Sequence, residues 1–147
     1  MIMKYIVVKD NLKVWLNKNR MLNDSIDIYD AKILNIGFDY EIIVDPTRDK
    51  LQVLNSVSTR LKREMSDKLY IGEPFYITSV YNIINKTKGV IDTKNVRMKY
   101  KSASVSIQQM LSKDGTYLKT PRNVILEILD FDTDIRGTAV WSKDISL

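Results

Sequence analysis

Leu34-Asn35-Ile36-Gly37-Phe38-Asp39-Tyr40-Glu41-Ile42-Ile43-Val44 is the stretch on which the fold turns. Leu34, Ile36, Phe38, Tyr40, Ile42 and Val44 share one parity, while Asn35, Gly37, Asp39 and Glu41 hold the other. Side chains alternate across a strand, so this pattern predicts a long strand with one face buried and the other open. Ile26 and Ile28 alternate with Asp27, which extends the expected β structure back to Ser25. Gly37 marks a bulge or bend in that strand.

Working outward, Asp10 is a candidate N-cap for a first helix over residues 11–22, with Leu12, Trp15, Leu16 and Leu22 at roughly helical spacing. Downstream, Asp45-Pro46-Thr47-Arg48-Asp49 is a turn cluster. Asp49 then caps a second helix to about Lys68 that turns Leu51, Leu54, Val57, Leu61 and Met65 toward a core. Pro74 suits the first turn of a third helix carrying Ile77, Tyr81 and Ile84 on one stripe, and Gly89 stops it. Val90-Ile91 with alternating Val96, Met98 and Tyr100 predicts a strand whose other face carries Arg97, Lys99 and Lys101. Residues 102–120 read as a loop-rich insertion in which Ile107, Met110 and Leu111 fit either a short helix or a loop. Asn123–Leu129 and Thr138–Trp141 complete the β material. The order α-β-α-α-β-β predicts an α+β fold, with a mixed or antiparallel sheet and helices packed mainly on one face.

At 147 residues, 44% of them hydrophobic and 28% charged, the chain fits one α+β domain able to bury a core without staples. It has no cysteine and no histidine. That removes thiolate and imidazole metal ligands and the side chain that most readily moves protons near neutral pH, so the reading is a non-enzyme with no cofactor and no metal. No glycine-rich phosphate loop occurs, and the apolar opening Met1–Val8 is too short for a membrane span. The net charge of +5 raises an alternative, a small basic nucleic-acid-binding module using Arg97 to Lys101 with Lys86, Lys88 and Lys94. A solvated edge face accounts for the same lysines and arginine.

Asp130, Asp132 and Asp134 have the spacing that opens a calcium loop. A calcium loop starting at Asp130 needs Gly where Ile135 stands and Glu where Trp141 stands, so an exposed acidic turn is the better reading. Asp39 and Glu41 are the polar face that alternation requires rather than an acid and base pair. The candidate interface residues are Trp15, Tyr81 and Trp141, as large side chains able to anchor a contact, with Arg97 and Lys99. Core filling is the plainer role for the three aromatic residues.

Asn17-Lys18-Asn19-Arg20-Met21-Leu22-Asn23-Asp24 and Ile28-Tyr29-Asp30-Ala31-Lys32-Ile33-Leu34-Asn35-Ile36-Gly37 are followed by four further strings. These are Leu69-Tyr70-Ile71-Gly72-Glu73-Pro74-Phe75-Tyr76-Ile77, Asn82-Ile83-Ile84 through Lys88-Gly89-Val90, Pro121-Arg122-Asn123-Val124-Ile125-Leu126-Glu127-Ile128, and Asp134-Ile135-Arg136-Gly137. In that order they resemble the baseplate J-like family, in particular the C-terminal part of its wedge-ring members in T-even-type contractile-tailed phages. Members of that family are several times longer, so the chain is expected to be a fragment, a split gene product or an excised domain. The resemblance implies a structural virion component of the tail baseplate, a late protein assembled in the host cytoplasm. Its implied partners are copies of itself and other baseplate wedge subunits, with no small-molecule substrate, membrane or nucleic acid among them. The expected arrangement packs the Leu34–Val44 parity against helices and leaves a second surface, the helix from Asp49 to Lys68 among the candidates, for a symmetric partner.

Overall fold

A computed structural model describes residues 2–20, 26–28, 30–67, 69–100 and 107–145, with the side chains of the first helix from Val7 onward. The chain forms two compact units, Met1–Ala31 and Lys32–Leu147. In the first, helix α1 spans Ile2–Lys18. Asp10 lies inside this helix instead of capping it, because the apolar run before it is helical as well. Lys9 Nζ lies 3.0 Å from Asp30 Oδ1. The expected helix end at Leu22 and the expected strand start at Ser25 fall outside the described residues, and Ile26–Ile28 form no strand.

The second unit is built on strand β1, Lys32–Val44. Leu34, Ile36, Phe38, Tyr40, Ile42 and Val44 are all buried, as the alternation predicts. Asp45 turns the chain out of β1: its Oδ1 accepts the Thr47 backbone N–H at 2.9 Å and the Thr47 hydroxyl at 2.7 Å, which holds its carboxyl below the usual range. Helix α2, Lys50–Glu64, follows. Asp49 occupies its N-cap position but makes no capping bond with its side chain. The buried stripe is Val53, Val57 and Leu61, at i, i+4 and i+8, and Leu51 is 65% exposed. Lys68, the expected helix end, is outside the described residues.

Pro74 precedes a two-residue strand, β2 (Phe75–Tyr76), and helix α3 begins only at Ile77 and runs to Asn85. Ile77, Val80 and Ile84 are its buried residues. The α3 to β3 turn needs Gly89 in the left-handed region at φ +97°, where a Cβ would also press on Arg48 and Val53. Strand β3, Val90–Tyr100, runs antiparallel to β1, with Phe38 opposite Met98 and Asp39 opposite Arg97.

Within the region expected to be a loop-rich insertion, Ile107–Met110 forms a helical turn, α4, and Tyr117–Leu118 forms strand β4, paired with β2. Their connection is tied by Asp114, whose carboxyl is held below the usual range by the hydroxyls of Ser112 and Thr116 and by the Thr116 amide. Strand β5 (Val124–Glu127) and strand β6 (Ile135–Trp141) then lie end to end along the other edge of β1, both parallel to it. β5 pairs with residues 32–35 and β6 with residues 38–44. Between them the chain makes one helical turn, α5, Phe131–Asp134. The sheet is therefore mixed, and with α2 and α3 against its apolar parity the fold is α+β.

Gly37 sits at the gap between the two parallel partners. A Cβ there would come within 2.3 Å of the Asp134 carbonyl oxygen, so the residue permits close backbone approach. The β1–β3 register is unbroken at Gly37 and shifts instead between Glu41 and Ile42 and between Ile43 and Val44, which corrects the expected bulge. Asp130 Oδ1 accepts the Asp132 amide at 3.0 Å, and Asp134 Oδ2 accepts the Asp130 amide at 3.1 Å. Asp130 and Asp132 are exposed, as expected of an acidic turn, but Asp134 is only 4% exposed, which corrects that expectation at one residue: its carboxylate folds back onto the amide of Asp130, the N-cap of α5.

Candidate interface surfaces

The outward parity of β1 carries Asp39 and Glu41, flanked by β3 on one side and β6 on the other. Strand register places Arg97 and Arg136 on either side of Asp39, and Asn95 and Thr138 on either side of Glu41. Lys99 Nζ lies 2.6 Å from Asp39 Oδ1, and Lys94 Nζ 3.2 Å from Glu41 Oε1. Each β1 carboxylate thus already holds one β3 lysine, so this face offers interleaved charge rather than a continuous cationic track. Arg97 and Arg136 are exposed and make no ion pair among the described residues. Lys101, the third basic residue of the expected strand face, lies outside the described residues.

The other expected interface residues are dispersed. Trp15 stands on α1 and is 60% exposed. Tyr81 on α3 is half-buried, and its hydroxyl accepts the Val96 amide of β3 at 3.1 Å. Trp141 ends β6 half-buried, with its Nε1–H donating to the Arg48 carbonyl at 3.0 Å. Lys50 Nζ and Lys143 Nζ lie 4.1 and 4.9 Å from the centroid of its ring, a cation–π arrangement. Tyr81 and Trp141 therefore tie elements of the second unit together.

A groove of about 850 Å³ runs between the end of α2, the 69–76 turn, α3 and β5. Its apolar wall includes Met65, Tyr76, Ile83, Ile125 and Phe131. Four carboxylates, Glu64, Asp67, Glu73 and Glu127, line it with no lysine or arginine among the described lining residues. Glu64 pairs with Arg60 at 2.8 Å, and Glu73 accepts the Tyr70 amide at 2.7 Å. The carboxylates of Asp67 and Glu127 have no ion pair or hydrogen bond among the described residues. Sequence reading missed this groove because its acids come from three separate segments; the available signal was the absence of lysine and arginine from residues 73–85 and 123–135.

Among the described residues, no three metal-ligating side chains converge, and no helix is long and apolar enough to cross a membrane. The chain matches no protein-family model, and comparison with curated proteins finds no relative.

Proposed function

We propose that this chain is a structural subunit of a contractile phage tail, a baseplate wedge component that joins copies of itself and neighbouring wedge subunits into a ring. It works by geometry and carries out no reaction. The observation that carries this reading is that strings of the baseplate J-like resemblance, far apart in sequence, meet in space. The Gly72 amide donates to the Val124 carbonyl at 2.8 Å, joining the Leu69–Ile77 string to the Pro121–Ile128 string. Gly37, which ends another string, packs against Asp134, which opens the last. Residues that share a packed neighbourhood constrain one another, and these contacts are what supports the reading.

The nucleic-acid reading draws on the basic residues of β3, yet Lys99 is paired with Asp39 and Lys94 with Glu41, and Arg97 lies opposite Asp39 in the ladder, where phosphates would have to sit. The test is sedimentation velocity of the purified chain over a range of concentrations, alongside titration with single-stranded oligonucleotide at two salt concentrations. Concentration-dependent self-association without oligonucleotide binding is the expected result. A monomer that binds oligonucleotide with a steep salt dependence overturns the assembly reading.

A further inference from the structure

α1 and the groove of the second unit have opposite chemistry. On α1, Val8, Leu12 and Trp15 recur at i, i+4 and i+7, the spacing of one helix face, and are 58%, 47% and 60% exposed. That stripe covers roughly 10 Å of helix axis at 1.5 Å per residue. Lys4, Lys9, Lys13 and Lys18 stand against the single acid Asp10 in the helix. Lys9 is taken by Asp30, whereas Lys13 and Lys18 make no ion pair among the described residues. Three large apolar side chains left in water on one helix face cost free energy that burial would recover.

The groove presents the reverse: an apolar floor of Met65, Ile83, Ile125 and Phe131 under a rim bearing Asp67 and Glu127 without cationic partners among the described residues. A concavity of about 850 Å³ is the size that takes several side chains. In a chain of net charge +5, a groove whose charged lining residues, among those described, are all acids favours a cationic occupant, at Asp67 and Glu127 rather than at Glu64, which Arg60 and Arg63 already pair. An amphipathic helix laid in an apolar groove is a recurrent recognition mode, with anchors at i, i+4 and i+7.

We propose that the Val8–Leu12–Trp15 face of α1 in one copy lies in the acid-rimmed groove of a second copy, with Lys13 and Lys18 facing Asp67 and Glu127. This rests on the assembly reading and names its contact. The two surfaces differ, so the contact is heterologous: each copy offers a helix to one neighbour and a groove to the next. Such contacts propagate, and close into a ring when the rotation between copies permits.

The test is sedimentation equilibrium of the full chain in four forms: unmodified, Lys13→Glu/Lys18→Glu, Asp67→Lys/Glu127→Lys, and the two pairs combined. Lys13, Lys18 and Asp67 are exposed and Glu127 is half-buried at the groove, so circular dichroism should show the fold retained. Either reversal should weaken self-association by roughly tenfold or more, and the combination should restore it, since a tenfold change is the scale of one good charge contact. Trp15→Ala, at an exposed helix position, should weaken association without recovery by any charge change. Self-association that neither reversal alters, or a combination weaker than each pair alone, overturns the groove contact while leaving assembly standing. An unmodified chain that stays monomeric overturns both. Binding to vesicles of anionic lipid that is lost in Trp15→Ala, with no self-association, assigns the helix face to a membrane surface instead and overturns the contact.

Discussion

Gly137 faces Tyr40 across the β1–β6 ladder, and the tyrosine ring lies where a side chain at 137 would begin: a Cβ there would come within 2.3 Å of the ring. Burial of that ring pushes the Tyr40 hydroxyl up to about 12. Gly137→Ala should therefore destabilise the protein by about 1–3 kcal/mol, the usual cost of overpacking, measured by urea denaturation. Gly37→Ala should cost more, because the obstacle is the Asp134 backbone carbonyl and not the end of a side chain that can rotate. Combining Gly137→Ala with Tyr40→Leu should recover part of the loss, since contacting residues are non-additive. Additive losses would mean that the ring and the glycine do not constrain each other. Neither glycine's reason was legible in the sequence. Gly37 could be read as an irregularity within an alternating strand, but the atom that excludes a side chain there comes from a segment almost a hundred residues later.

Among elements, β1 decided how much could be read early. A strand buried on one face must alternate strictly, since a slip of one residue exchanges its faces, and Leu34 to Val44 keep that rule without exception on the core parity. α2 was legible as a helix but not in its orientation: the stripe Val53–Val57–Leu61 and the competing set beginning at Leu51 both suit helical spacing, and only packing on the sheet separates them. The short pairing of β2 with β4 left no trace, because two residues show no period. Of the interface candidates, Arg97 and Lys99 were placed correctly on one strand face, whereas the acidic groove depends on three segments that only the fold brings together. These contrasts predict where energy resides. Phe38→Ala, at a residue with no exposure, should cost about 3–5 kcal/mol. Asp39→Asn, one residue away, should cost at most about 1 kcal/mol, as surface ion pairs do. Thermal and urea unfolding of both variants checks this, and a large loss in Asp39→Asn would show that the charged face supports the fold itself.

At the scale of the whole molecule, the described buried core lies in one of the two units. Every buried hydrophobic residue described, from Leu34 to Ile135, belongs to Lys32–Leu147. Met1–Ala31 contributes none of them, although α1 displays Val7, Val8, Leu12, Val14 and Trp15 to solvent. Cooperative unfolding follows from a shared core, so the second unit should hold its stability alone. A chain lacking residues 1–31 should unfold in urea as a single transition, with a free energy within about 1 kcal/mol of the full chain, because every described residue of the buried core is kept. The chain has two tryptophans, and in the shortened form Trp141 alone remains, bonded to the Arg48 carbonyl; its fluorescence then reports the second unit without contribution from α1. A broad, non-cooperative transition would mean that α1 completes the core. Retained cooperativity together with lost self-association would separate the two roles, leaving the sheet and its helices to supply a rigid body and α1 to supply the connection between copies.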